Sequence, residues 1–225
     1  MIRRIVKVAC ALAVALATML VTVLATALPA SAHTGTHSTG TRSLAALLAK
    51  DGSGFDKNWS DYDILDNAVG AVLAAKPNSP VAVLADGNVP LTAFLPTDRA
   101  FRRLAHSLTG KWYHSEKKVF TKLAGTLGVD TIESVLLYHV VPGATITYRQ
   151  ALKANGAVLQ TALEGATIKV KVRCWVVILK DNDPSARNPI VVQPNLNKGN
   201  KQIGHGINRV LRPVDLSEMI NLPGR

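Results

Sequence analysis

Apolar residues from position 42 onward recur at two spacings, one typical of helices and the other of strands. Leu44, Leu47 and Leu48 have helical spacing, which predicts a short helix. Apolar residues at the same spacing over 62–73 predict a second helix, which Pro77 ends. Further short helical patterns are found at 97–104, 115–126 and 148–152.

Extended patterns dominate the second half of the chain. Ile168, Val170 and Val172 alternate with basic residues, which predicts a strand with one buried face. Continuing that alternation places Cys174 on the buried face and predicts an inert thiol. Glu164-Gly165 predicts the turn of a hairpin. The other predicted strands are 81–85, 90–95, 157–163, the continuously apolar 175–179, 190–193 and 203–211.

One unusual stretch, TIESVLLYHVVPG at 131–143, joins a helical pattern directly to an extended one. Asp130 followed by Glu133 matches a capping box, so a helix is predicted to begin there. The residues from Tyr138 to Val141 predict a short buried strand, which Pro142-Gly143 ends. Two polar side chains, Tyr138 and His139, therefore fall at the junction.

The first 32 residues have the composition of an export signal. Arg3, Arg4 and Lys7 precede an uncharged run, and Ala30-Ser31-Ala32 matches a small-x-small cleavage site. We expect a signal peptide at 1–32, with an uncleaved membrane anchor as the alternative. Residues 33–41, HTGTHSTGT, predict a flexible polar leader. Secretion is the expected localisation, either free or at the cell surface.

Composition favours an exported domain that is held together by its core. The formal net charge is +11, and Cys174 is the only cysteine beyond residue 32, so no intramolecular disulfide is expected. Arg99, Arg102 and Arg103 have spacings that place them on one face of a helix, opposite Phe101 and its apolar neighbours. This face is either a solvated surface or a small basic patch for an anionic partner.

Recognised catalytic and metal-binding patterns are absent from the sequence. It has no G-x-S-x-G, no phosphate-binding Gly-Lys loop and no H-E-x-x-H. Asp181-x-Asp183 begins like a calcium loop, but Ala186 stands at the sixth position. Asp61, Asp63 and Asp66 are interpreted as the acidic first turn of one helix. We predict no enzyme, no metal and no cofactor, although a carboxylate pair assembled by the fold stays open.

Three segments, in order, resemble the motifs of the fasciclin domain family. TAFLPTDRAF at 92–101 is similar to the first motif, in which a strand passes through a Pro-Thr-Asp turn into a helix. LLYHVVPG at 136–143 resembles the central Tyr-His motif. GHGINRVLRP at 204–213 resembles the closing motif, with Asn208 where the family has Asp. The segment before it also departs, because Lys201-Gln202 replaces the usual Asn-Gly.

The resemblance implies an α+β fold, a β-sandwich wedge of about seven strands with helices packed around one side. It also implies a single domain at 42–217, followed by a tail at 218–225. Tyr138 and His139 correspond to a motif linked to receptor binding in animal relatives, and the alternative is that they pack in the core. The other motif residues expected to be structural are Thr97, Asp98, Phe101, Pro142, Gly143, His205, Asn208 and Pro213.

The function implied by the resemblance is adhesion or protein interaction without catalysis. The expected partner is an extracellular or cell-surface protein, or an anionic cell-wall polymer bound by the basic patch. No nucleic-acid partner is expected, and membrane contact is expected only through an uncleaved signal anchor. The alternatives are a carrier of a small apolar ligand or lipid and an uncharacterised hydrolase.

Overall fold

Seven strands form two sheets in the computed structural model, which describes residues 39–52 and 54–220. The strands are β1 (Leu91–Pro96), β2 (Val140–Pro142), β3 (Val158–Gln160), β4 (Thr167–Arg173), β5 (Val176–Lys180), β6 (Val191–Leu196) and β7 (Gln202–Ile207). The helices are α1 (Leu44–Leu48), α2 (Asp63–Ala75), α3 (Asp98–Thr109), α4 (Glu116–Tyr138), α5 (Tyr148–Ala151) and α6 (Leu216–Ile220). Two short 3₁₀ helices cover Ala49–Asp51 and Pro80–Ala85.

One sheet contains four strands in the order β2-β1-β7-β6, and the other contains β3-β4-β5. β1 and β7 run parallel, so the first and closing motifs of the sequence lie side by side from Leu91↔Gln202 to Pro96↔Ile207. Every other named pairing is antiparallel. The predicted α+β fold with about seven strands is confirmed.

Strand β1 lies between two hydrophobic clusters because both of its faces are buried. Leu91, Ala93 and Leu95 pack with the apolar faces of the helices. Phe94 packs on the opposite side with Ile168 of the smaller sheet and its neighbours. Successive residues of a strand point to opposite faces, so this one segment joins the helical layer to the second sheet.

The junction of α4 and β2 differs from the sequence prediction. Gly128 (φ 73°, ψ 164°) is non-helical and divides α4 into two helical segments, so a helix does begin close to the predicted start, but Asp130 lies inside it and is not its cap. Glu133 instead accepts a hydrogen bond from Lys76 Nζ at 2.5 Å, which also lies 2.5 Å from Asp130 Oδ1. Tyr138 is the last helical residue, and β2 begins at Val140. The helix-to-strand junction itself is confirmed.

The segment 81–85, predicted as a strand, belongs instead to the 3₁₀ helix Pro80–Ala85. The Ser79 side chain accepts a hydrogen bond from Val81 N, and Pro80 occupies the first helical position, where its missing N–H costs nothing. Val81 and Leu84, three residues apart, are the buried residues of this turn. The closing strand is also shorter than predicted, since β7 ends at Ile207 rather than Leu211.

Cys174 is exposed, so its predicted burial is wrong. The alternation holds for Ile168 and Val170, which are buried, but β4 ends at Arg173. Cys174 and Trp175 then form a two-residue turn with φ 48° and 62° and lead into β5. The strand predicted at 175–179 is present as β5, but its buried residues alternate with half-buried ones and Trp175 is 82% exposed in the turn, so the predicted coverage of both faces is wrong. Two residues with positive φ suit a hairpin turn whose twist matches its strands.

We expect the native protein to react rapidly at Cys174 with a thiol reagent such as 5,5′-dithiobis-(2-nitrobenzoic acid). The reason is that the exposed turn leaves the sulfur accessible without any unfolding. The measurement is the labelling rate of the folded protein against that of the protein in denaturant, with Cys174→Ser as the blank. Labelling that required global unfolding would contradict the exposed turn.

The predicted signal peptide at 1–32 and most of the leader at 33–41 lie outside the described residues. Within 39–52 and 54–220, no helix combines the length and apolarity needed to cross a bilayer.

Candidate functional site

Tyr138 lies at the end of α4 with no exposed surface. Its hydroxyl donates to the Thr167 carbonyl oxygen at 2.8 Å, which links α4 to the smaller sheet. The ring belongs to the cluster that also contains Phe94 and Ile168. A tyrosine in this position satisfies its polar atom inside the core, and its side chain is not accessible to a partner.

His139 is also buried, and both ring nitrogens have backbone partners. Nδ1 lies 2.6 Å from the Val135 carbonyl oxygen, and Leu211 N donates to Nε2 at 2.9 Å. A carbonyl only accepts and an amide N–H only donates, so the imidazole is neutral with its proton on Nδ1. Burial lowers the pKa of His139 to about 4. These contacts describe packing in the core, and a binding role for Tyr138 and His139 stays a prediction.

The three arginines of α3 have three different environments. Arg99 is exposed. The Arg102 guanidinium lies 4.7 Å from the Trp59 ring centroid and 5.5 Å from that of Trp112, an arrangement that gives cation–π contacts. Arg103 Nη1 donates to the Asn208 carbonyl oxygen at 2.7 Å. The predicted patch is therefore divided, with Arg102 held by the tryptophans and the other two arginines facing a cleft.

This arginine cleft has a volume of about 320 Å³. It is formed where α3 meets β6 and the turn before α2, and its lining residues are Trp59, Ser60, Thr97, Arg99, Arg103, Val192, Gln193 and Asn208. Gln193 Nε2 donates to the Ser60 carbonyl oxygen at 2.9 Å, which fixes one wall. The cleft thus places two guanidinium groups beside an aromatic ring and amide groups.

Two arginines that the sequence did not single out, Arg187 and Arg209, interact electrostatically with each other, and Arg209 also interacts with Arg103 of the cleft. Arg187 lies in the loop after β5, and Arg209 follows β7. Burial, followed by the nearby charges of Arg103, Arg187 and Arg212, lowers the pKa of Arg209. Burial and the charge of Arg99 likewise lower the pKa of Arg103. These guanidinium groups repel one another, so a bound anion would stabilise them.

The remaining motif residues lie in the core or near the ends of strands and helices. Thr97 is the N-cap residue of α3, but its side chain forms no capping hydrogen bond. Phe101 packs in the helical core, and Gly143 (φ 80°) donates its N–H to the Pro90 carbonyl oxygen where β2 ends. Pro213 is half-buried in the segment after β7.

His205 and Asn208 connect β7 to neighbouring segments. His205 Nε2 lies 2.8 Å from the Ile146 carbonyl oxygen, and burial lowers the pKa of His205. Asn208 Oδ1 accepts from Ile190 N at 3.0 Å, while Asn208 N donates to the Ile190 carbonyl oxygen. The Asn208 side chain therefore needs only an acceptor oxygen at this position, which both Asn and Asp supply.

The structure also assembles an acidic cluster of Asp56, Asp61, Asp63, Asp98 and Glu116, which the sequence analysis did not predict. One oxygen each from Asp61, Asp98 and Glu116 lie within 4.8 Å of one another, and the same holds for Asp56, Asp61 and Asp63. Asp63, Asp98 and Glu116 are the first residues of α2, α3 and α4. Three helix N-termini therefore converge here, and helix-start signals far apart in the sequence do not show that convergence.

Each of the two innermost side chains of the acidic cluster binds one backbone N–H. Asp98 Oδ1 accepts from Ile64 N at 3.0 Å, and Glu116 Oε2 accepts from Asp56 N at 2.7 Å. Burial, together with the hydrogen bond to Asp61, raises the pKa of Asp98 to about 9. Burial raises the pKa of Glu116 to about 7. The cluster therefore concentrates carboxyl groups in surroundings that disfavour their charge.

Comparisons with known proteins agree with this architecture. The family model described as the fasciclin domain matches residues 66–213. A solved structure, a FAS1 domain pair from the insect cell adhesion molecule fasciclin I, is similar with a TM-score of 0.51 and 16% sequence identity. The match covers 77% of this chain and 51% of that one, so the chain spans about half the length of that structure. No curated protein sequence matches this chain.

Proposed function

The chain belongs to the fasciclin domain family, and from this membership we propose that it is an extracellular adhesion module whose arginine cleft binds an anionic macromolecule. Fasciclin domains are generally interaction modules of adhesion molecules, are typically extracellular and are generally not enzymes. The observation that carries the proposal is one cleft lined by Arg99 and Arg103, with the charges of Arg103 and Arg187 also acting on Arg209. We propose no catalytic activity.

Geometry supports recognition of carboxylate or phosphate groups in the arginine cleft. Guanidinium groups donate paired hydrogen bonds in a fixed plane, which suits these anions. Arg103 already has its orientation set by the Asn208 carbonyl oxygen, so less side-chain freedom is lost on binding. The partner is an acidic wall polymer or an acidic protein surface, which present the same groups.

A carrier function has less support from the structure. Two apolar pockets, one lined by Phe101 and Leu123 and the other by Phe94 and Val177, have volumes of about 30 Å³ each. That volume holds a water molecule or two, whereas small-molecule sites typically measure several hundred Å³. Neither pocket accommodates a lipid chain in this conformation.

We further propose that the module is exported as a single domain at 42–217. The export signal would be 1–32 and the leader 33–41, with residues 218–225 as a tail. The basic residues Arg3, Arg4 and Lys7, the uncharged run and the Ala-x-Ala site support this assignment.

The test is binding of the purified protein to intact cells and to purified wall fractions at low and high salt. We expect the double substitution Arg99→Gln, Arg209→Gln to weaken binding by roughly tenfold or more, because charge-assisted hydrogen bonds contribute ~1.5–3 kcal/mol each. We also expect high salt to weaken wild-type binding, since exposed charges are screened. Binding to wall fractions from which protein has been removed would identify a polymer partner.

The matched control is Lys117→Gln, Lys118→Gln, which removes the same charge from the exposed face of α4. We expect this variant to bind nearly as well as wild type. Equal losses in the two double variants would show diffuse attraction by net charge and contradict a role for the arginine cleft. Binding that survives high salt would also contradict an anionic partner that is held mainly by charge.

A further inference from the structure

We propose that the acidic cluster is a calcium site, in which Asp61, Asp98 and Glu116 supply the inner ligands and Asp56 and Asp63 complete one side. This inference goes beyond the adhesion function and does not depend on the identity of the partner. It follows from two groups of three carboxylates that share Asp61, at the start of three helices.

Two buried oxygen atoms point to a missing ligand. Asp98 and Glu116 have no exposed surface, and each uses one carboxyl oxygen to accept a backbone N–H. Their other oxygens, Asp98 Oδ2 and Glu116 Oε1, are buried and accept no hydrogen bond from an N–H or hydroxyl group of the described residues. A buried acceptor that lacks a partner costs about 1–3 kcal/mol, and more when it is charged. A cation between these oxygens removes that cost.

The protein compensates only part of the negative charge. The N-termini of α2, α3 and α4 each direct a partial positive charge towards the acidic cluster. However, within 39–52 and 54–220 neither Asp98 nor Glu116 forms an ion pair with lysine or arginine. The Asp61 and Asp98 carboxyl groups are also close enough to share a hydrogen bond, which requires either a proton or a cation between them.

The donor set favours calcium over other common metal ions. All the side-chain donors are carboxylate oxygens, whereas zinc and copper sites use imidazole or thiolate ligands. Mg²⁺ is usually bound by one or two carboxylates and keeps several waters, whereas the larger shell of Ca²⁺ takes more carboxylate oxygens, as this cluster offers. The exposed side chain of Asp56 opens one side of the site to solvent.

A bound ion would fasten the 56–61 turn to the helical layer. This turn already contacts α3, because Asp98 N donates to the Asp61 carbonyl oxygen at 3.0 Å and Arg99 N donates to that of Trp59 at 2.9 Å. The same turn contributes Trp59 and Ser60 to the arginine cleft. Calcium would therefore hold one wall of the cleft in place.

The test is calorimetric titration of the chelator-treated protein with calcium chloride, together with its melting temperature in calcium chloride, magnesium chloride and chelator. We expect one calcium ion per chain and a higher Tm in calcium than in either other condition. Glu116→Gln is expected to weaken calcium binding by roughly tenfold or more, since changes outside the ligand shell already cost about 10–100-fold. Glu164→Gln, which changes an exposed carboxylate in the β3–β4 turn, is the matched control and should bind calcium like wild type.

Asp98→Asn separates metal binding from a purely structural role. Asparagine keeps an acceptor oxygen for Ile64 N but removes one charge, so we expect a higher Tm in chelator and no further rise with calcium. The absence of heat and of a Tm change in wild type would overturn the proposal. An equal rise with magnesium would overturn the assignment to calcium, and an equal loss in Glu164→Gln would overturn the location.

Discussion

Replacing His139 with alanine is expected to lower the free energy of unfolding by about 3 kcal/mol at pH 7. The substitution removes the acceptor of Leu211 N and the donor to the Val135 carbonyl oxygen, and it leaves both groups buried. It also opens a cavity beside Tyr138 where α4 meets β2. Denaturant unfolding of the two proteins measures the difference, and partner binding by the folded variant is expected to change less.

The effect of this substitution should depend on pH. The pKa of His139 falls from 6.5 to about 4 on folding, so the unfolded chain binds the proton more readily between these values. The histidine therefore contributes stability that is present above pH 6.5 and is lost as the pH falls towards 4. At 1.36 kcal/mol per pKa unit the loss amounts to roughly 3 kcal/mol.

The difference between wild type and His139→Ala should consequently shrink from about 3 kcal/mol at pH 7 to near zero at pH 4. His114→Ala is the control, because it removes an exposed imidazole and should cost less than about 1 kcal/mol. A difference that stayed constant with pH would show that His139 is not held neutral in the core. A variant as stable as wild type that had lost partner binding would show that the histidine serves recognition.

Local patterns in the sequence predicted those parts of the fold that depend on interactions between residues close together in the chain. The alternation over 168–172 follows from one buried face, and the segment 92–101 passes from strand to helix because Pro96 and Thr97 end one element and begin the next. The parallel pairing of β1 with β7 is a long-range feature. The family resemblance implied the fold that contains it, since apolar spacing does not specify which strands pair.

The errors arose at a turn and at a helix start that neighbouring residues do not specify. Cys174-Trp175 forms a turn with positive φ at both positions, where Asn-Gly is the common sequence. Without those residues, the alternation of apolar and basic residues over 168–173 predicts a strand that continues through Cys174. Gly128 interrupts α4 two residues before the predicted capping box, and Glu133 is engaged by Lys76 instead. The turn at Cys174-Trp175 lacks the usual turn residues, and the contact between Lys76 and Glu133 joins residues far apart in the sequence.

The candidate sites likewise combine features that local spacing predicts with features that depend on long-range contacts. Spacing placed Arg99, Arg102 and Arg103 on one helix face, but Trp59 and Trp112 come from separate loops and remove Arg102 from the patch. The acidic first turn of α2 follows from the local sequence. The convergence of Asp98 and Glu116 on the same point does not, because helix-start signals carry no information about how helices converge.

Replacing Arg212 with methionine is expected to lower the free energy of unfolding by about 3–5 kcal/mol. Arg212 Nη1 lies 3.2 Å from Asp183 Oδ2, and the Asp183 side chain is fully buried. Removing the guanidinium leaves the buried Asp183 carboxylate without its cation. The backbone N–H and the hydroxyl of Ser185 still donate hydrogen bonds to this carboxylate, but they do not neutralise its charge. Denaturant unfolding at neutral pH measures the loss.

The double variant Arg212→Met, Asp183→Asn provides the matched comparison. Asparagine keeps an acceptor oxygen for Ser185 and removes the stranded charge, so we expect the double variant to recover most of the stability lost by the single one. A double variant as unstable as the single one would show that Arg212 acts through packing rather than charge.

The ion pair of Arg212 and Asp183 joins the loop that carries Arg187 to the segment that carries Arg209. We therefore expect Arg212→Met to weaken anion binding at the arginine cleft even where the domain stays folded. The double variant should restore part of this binding, because neutralising Asp183 offsets the positive charge lost at Arg212.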